Sequence, residues 1–206
     1  MKKTTLILAV LILASSVAMS QSLTKGFKGG FNSATLGGAD AKNPDPTAKS
    51  GFAAGVFFNL SLPGPISIQP EVLYTQKGAE AAVGSITAKY ELVYVEVPVL
   101  LKFNIPLAPG SPVKPNIFAG PAAGFLLTAK VKSGSQELDI KDETTNVDFG
   151  LALGAGLDID LVALTLTVDA RYTLGLATIA KNEDPTTHTK ADVKNRVMSV
   201  NVGIAF

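Results

Sequence analysis

Few residues in this chain have the types and spacing that chemistry needs. His188 is the only histidine, with Glu183, Asp184 and Asp192 close by in sequence. A histidine beside carboxylates could serve as the general base of a hydrolase. A lone histidine in a polar stretch reads more simply as a solvated loop residue. Asp139, Asp142 and Glu143 form a second acidic group, but they lack the ligand spacing of a calcium loop and read as a soluble loop. Neither set calls for a metal or cofactor, and none is expected.

The third group is Lys28, Glu71, Glu96, Lys102, Asp169 and Arg171. Each falls on the polar phase of a two-residue alternation, so what positions them is a set of strands. The clearest is residues 147–175. Val147, Phe149, Leu151, Leu153, Ala155, Leu157 and Ile159 alternate with Asp148, Gly150, Ala152, Gly154, Gly156 and Asp158. After a break at 160–163, Leu164, Leu166, Val168, Ala170, Tyr172 and Leu174 alternate with Thr165, Thr167, Asp169, Arg171, Thr173 and Gly175. This is a hairpin of two long strands. Soluble strands average about 5–6 residues, whereas a tilted membrane-spanning strand needs about 9–11.

The second face decides what the apolar face meets. A soluble sheet would show water lysine, glutamate and threonine, but Gly150, Ala152, Gly154 and Gly156 are small and uncharged, as a crowded barrel interior requires. The expectation is an inverted barrel, apolar outside. A soluble lipocalin-like barrel or sandwich is the competing fold, since it alternates too.

The N-terminus supports the membrane reading. Lys2 and Lys3 precede an apolar run at 6–14 and the small residues Ala18 and Ser20, the pattern of a secretory signal peptide over residues 1–20, cut before Gln21. No later stretch has about 18 uncharged apolar residues, so insertion must be as a barrel. The absence of cysteine removes a lipid anchor and disulfides. Residues 21–206 carry 16 basic and 17 acidic groups, a balance that argues against nucleic-acid binding.

Taken in order, the strands fall near 26–33, 52–60, 66–75, 93–103, 114–128, 147–159, 164–175 and 198–206. Outward apolar runs include Phe52 to Leu60 and Val93 to Phe103 at alternate positions. Pro70 interrupts the third strand and predicts a bulge or a missing hydrogen bond. Prolines and glycines mark tight turns at 62–65 and 105–113, and the break at 160–163 is the third. Residues 37–50, 77–88, 129–146 and 177–195 read as long loops. Three turns alternating with four loops give an all-β, eight-stranded antiparallel up-and-down transmembrane β-barrel over 21–206, with turns in the periplasm and loops outside. Outward aromatics should form two girdles, Phe27, Phe58, Phe103 and Phe206 at the turn side and Phe52, Tyr74, Phe125, Phe149 and Tyr172 at the loop side.

So narrow a barrel has room only for side chains. Phe57, Glu71, Leu73, Glu96, Lys102, Phe118 and Arg171 should plug it, with Lys28, Lys102 and Arg171 meeting Glu71, Glu96 and Asp169, because enclosed charges must pair. The terminal Phe206, preceded by apolar residues at every second position back to Met198, reads as the signal for the outer-membrane barrel assembly machinery.

The segments at 26–32 (GFKGGFN), 68–78 (IQPEVLYTQKG), 94–102 (YVEVPVLLK), 119–127 (AGPAAGFLL), 169–175 (DARYTLG) and 195–198 (NRVM) resemble the PorT-like outer membrane β-barrel family across nearly all of residues 25–206. That resemblance implies location in the outer membrane of a Gram-negative-type bacterium. It also implies contact with outer-membrane lipid and a role among envelope or secretion proteins, with some members linked to protein export. It supplies no catalytic motif. The functional expectation is a non-enzymatic structural or interaction barrel acting through its external loops. The alternatives are a small ligand-binding or transport barrel and a rim-located hydrolase.

Overall fold

A computed structural model describes residues 23–42, 46–83, 86–181 and 190–206. The proposed signal peptide lies outside the described residues, as do His188, Glu183 and Asp184. Among the described residues nine strands form: β1 (Leu23–Gly37), β2 (Thr47–Ser61), β3 (Ile66–Val83), β4 (Ile86–Asn104), β5 (Val113–Ser133), β6 (Gln136–Asp139), β7 (Val147–Asp160), β8 (Thr165–Gly175) and β9 (Lys194–Ala205). All pairings are antiparallel between neighbours. β1 pairs with β9 and β4 pairs with β5, so eight strands close on themselves and β6 adds to β5 alone. Closure removes the unpaired backbone edges that hydrocarbon would not tolerate.

The alternation sets the two faces. Phe27, Phe52, Leu101, Phe149, Leu153, Val200 and Ile204 are exposed on the outside, while Phe57, Leu73, Tyr94, Leu100, Phe118 and Ala152 are buried inside. The outer aromatics group in two places: Phe27 lies 6.1 Å from Phe206 toward the turn side, and Phe52 stacks on Tyr74 at 5.7 Å toward the loop side, where β2 and β3 continue beyond them. Phe31, 80% exposed and directly opposite Phe52 on β2, joins the loop-side band although the alternation did not single it out. Pro70 interrupts pairing without a bulge. The β2–β3 register is the same at Phe57↔Glu71 and Leu60↔Ile68, and the β3–β4 register is the same at Pro70↔Val99 and Leu73↔Glu96, with unpaired positions between. Shifts occur elsewhere, between Ala48 and Ala53 and at Val93/Tyr94.

Two expected loops are largely strand. Residues 77–83 and 86–88 continue β3 and β4 as a hairpin, and 129–146 holds the end of β5, the turn at Gly134, β6 and one turn of 3-10 helix, Lys141–Glu143. The reason is that strands rising past the bilayer lose the need for an apolar outer face. Their outer residues become Glu80, Lys89, Lys130, Lys132 and Glu137, and the periodicity that marks a lipid-facing strand disappears although the hydrogen-bond ladder goes on.

Candidate functional site

The candidate site is the filled lumen, where three layers of charge descend from the loop end. In the uppermost, Lys77 pairs with Glu96 and lies 3.3 Å from Asp148, which also accepts 2.8 Å from the Asn195 side-chain amide. The Lys77 ammonium lies 5.0 Å from the Tyr94 ring centre.

The middle layer is the densest. Arg171 forms a two-pronged pair with Glu71, at 2.8 Å from Nη1 to Oε2 and 3.0 Å from Nη2 to Oε1. Lys28 donates to Glu71 at 2.9 Å and to Asp169 at 2.7 Å. Gln69 adds a bond of 2.6 Å to Glu71, and Asn201 one of 2.8 Å to Asp169. These carboxylates thus accept from both cations and neutral amides, the condition for keeping charge in a low-dielectric interior. The aromatic plugs close the layer: the Lys28 ammonium is 5.2 Å from the Phe57 ring and the Arg171 guanidinium 5.3 Å from the Phe118 ring. Glycine makes room for both rings. A Cβ on Gly26 would stand 2.7 Å from Phe57 Cζ, and one on Gly154 2.6 Å from Phe118 Cζ.

In the lowest layer Lys102 donates to Asp158 at 2.9 Å and to Gln69 Oε1 at 3.1 Å. Below it a polar mouth of about 160 Å³, lined by Asn59, Lys114 and Thr167 among others, opens at the turn end. Between the upper two layers the cavity beside Lys77, Glu96 and Arg171 is only about 10 Å³, at the lower limit for one water.

All six charges singled out from sequence face the lumen and are buried. Their pairing differs in two places. Lys102 meets Asp158 rather than Glu71, Glu96 or Asp169, and Glu96 meets Lys77. Sequence reasoning left Lys77, Asp148 and Asp158 out of the network. The signal was present: Lys77 continues the inward phase of Gln69, Glu71, Leu73 and Thr75, and both aspartates stand on the inward phase of β7. Lys77 was missed because its segment reads as a loop.

Above the charges sits an apolar stopper. Leu92, Tyr94, Leu126, Ala129 and Ile179 pack together, with Leu36, Ile140 and Val193 against them. Ile179 belongs to the long segment after β8. It is held there by its amide bond to Val193 at 2.8 Å and by a bond of 2.8 Å from the Thr145 amide to its carbonyl. The acidic set is dispersed: Asp139 caps the Lys141 amide at 2.8 Å, and Asp142 and Glu143 lie exposed in the 3-10 turn. Asp192 pairs with Lys194 at 2.7 Å. At the other end Phe206 exchanges backbone bonds with Lys25, 2.9 and 3.2 Å, and its ring faces outward.

Solved structures are similar to this chain. Neisserial surface protein A is 15% identical, with a TM-score of 0.53 over 91% of this chain and 98% of that one. Ail, the attachment invasion locus protein of Yersinia pestis, is 19% identical, with a TM-score of 0.46 over 91% of this chain and 100% of that one. OprG from Pseudomonas aeruginosa is 13% identical, with a TM-score of 0.46 over 90% and 97%. No curated protein matches the sequence. The family model described as outer membrane protein beta-barrel domain matches residues 19–181, a broader group than the PorT-like barrels. The closed eight-stranded barrel with its apolar outer belt is therefore a member of the outer membrane protein β-barrel domain family, and its place is the outer membrane.

Proposed function

We propose that this protein is a closed, non-catalytic barrel whose work is done by its loop end, as a structural or interaction element of the outer membrane. The observation that carries this reading is the lumen itself, filled by interlocked charges and aromatic rings and stoppered by Ile179 and its neighbours. A transport barrel would need a continuous wet path, and the 10 Å³ cavity between the charged layers does not offer one. The segments resembling PorT-like barrels favour a role beside protein export, with other envelope or secretion proteins as partners. Delivery by the barrel assembly machinery through Phe206 belongs to the same proposal. The test is single-channel recording of refolded protein in planar bilayers: silence is expected, and steady conductance of porin size would refute the closed core. A pull-down from intact envelopes then separates an interaction role, which yields a stable partner, from a stand-alone barrel.

A further inference from the structure

The β7–β8 turn has no proline, glycine or polar residue at its tip. The turn after β2 carries Pro63, Gly64 and Pro65, and the one after β4 mixes exposed Ile105 and Leu107 with Pro106, Pro109, Gly110, Ser111 and Pro112. Between Asp160 and Thr165 stand only Leu161, Val162, Ala163 and Leu164, with Val162 fully exposed and Leu161 53% exposed. The turn is closed by a bond of 2.8 Å from the Leu161 amide to the Leu164 carbonyl. It also prolongs the lipid-facing belt without a break, through Leu157, Ile159 and Leu161 on one strand and Leu164, Leu166 and Val168 on the other.

From Phe149 to Leu161 the outward apolar run covers about 40 Å of strand, or about 30 Å of height at a tilt of about 40°. The usual apolar band is about 25 Å tall, so the tip of this hairpin reaches its edge.

We propose that the β7–β8 turn is a lipid-embedded foot. It lodges at the headgroup and acyl boundary of the periplasmic leaflet. The occupant is phospholipid, because the patch is continuous with the lipid-facing belt. The backbone at the tip keeps it out of the hydrocarbon centre, since the amides of Val162 and Ala163 need water or headgroup partners. Apolar faces settle about 5–10 Å into that boundary.

The chain has no cysteine, so a single introduced one is a unique reporter. Val162→Cys and, in the β2–β3 turn, Pro63→Cys are spin-labelled in full-length barrels refolded into phosphatidylethanolamine and phosphatidylglycerol vesicles. Collisions with a water-soluble relaxer should be about fivefold rarer at 162 than at 63, with oxygen showing the reverse. Moving the label to Leu164 in a Val162→Asp background should restore access to water. Equal aqueous exposure at 162 and 63 overturns the foot. Shielding seen in native envelopes but not in pure vesicles also overturns it, and assigns the turn to a periplasmic protein.

Discussion

Above Tyr94 the lumen is filled as a soluble protein fills its core, by Leu92, Leu126, Ala129 and Ile179, whereas below it the filling is charge in register with charge. The two regions face different problems. The upper one stands beyond the bilayer, where residues from the loops can fold in and apolar burial is favourable at about 25 cal/mol per Å². The middle one is walled by strands whose small inward residues, Gly154 and Ala152 among them, leave little room. The long chains that cross the gap are charged, fixed by one another, and stacked on Phe57 and Phe118. The apolar stopper gains from burial alone. The charged layers gain only while every partner is present.

The sharpest way to break the middle layer is Glu71→Ala. It leaves Arg171 and Lys28 facing each other without their shared carboxylate, and a loss of about 3–5 kcal/mol is expected from reversible urea unfolding in lipid vesicles. A variant carrying Lys28→Met, Glu71→Leu, Asp169→Asn and Arg171→Met removes the charges together and should regain most of that loss. If the single variant were as stable as wild type, the charged layer would contribute nothing to holding the barrel.

Next in size is Leu153→Arg on the outer face. Leu153 pairs with Ala119 and Tyr172 and is exposed to lipid near mid-membrane. Arginine there should cost about 2–4 kcal/mol in the same assay, and no loss would mean the faces are assigned the wrong way round. Arginine tolerated inside but costly outside is the inverse of a soluble barrel.

In the stopper, Ile179→Ala should cost about 2 kcal/mol at the low end for a truncated core aliphatic, because its loop can relax. The loss should be local. Hydrogen exchange at the Ile179 and Thr145 amides should quicken while strand amides below Tyr94 keep their protection. Uniform quickening throughout would show that stopper and charged lumen are one cooperative unit.

This contrast also explains what was legible in the sequence. Where strands face lipid, as with Phe149 to Ile159, apolar alternation was sufficient for strand, face and register phase. The inward charges Glu71 and Arg171 could be placed from the same alternation. Partner choice could not, because it depends on stagger between strands: Lys102 on β4 reaches Asp158 on β7 across the intervening β5. Above the bilayer the outer face turns polar, so the strand extensions around Lys89 and Lys132 and the hairpin ending in β6 look like loops. Ile179 had no periodic signal at all, since its burial follows from the fold of one segment over the mouth.

The smallest effect expected is at the β5–β6 hairpin, and it completes the comparison because the chemistry is that of the lumen set in water. Glu137 accepts from Lys130 at 2.5 Å and lies 3.6 Å from Lys132, with all three exposed at their charged ends. The hydrogen bond from Lys130 holds the Glu137 carboxyl below its ordinary range, aided by the positive charges of Lys130 and Lys132 and opposed by slight desolvation. A carboxylate whose folded value is depressed adds its stability above the unfolded value and loses it as pH falls through the folded one. The hairpin should therefore keep this pair through neutral and mildly acidic pH and give it up only below the ordinary glutamate range. Exposed pairs contribute little and are screened by salt, so Lys130→Ala should leave the unfolding midpoint of the barrel unchanged. It should nevertheless move the Glu137 titration, followed by carbon NMR of the side-chain carboxyl, back up toward that of an ordinary glutamate. An unmoved titration would show that the bond to Lys130 does not persist in solution; a destabilised barrel would show that this exposed ladder supports the strands beneath it.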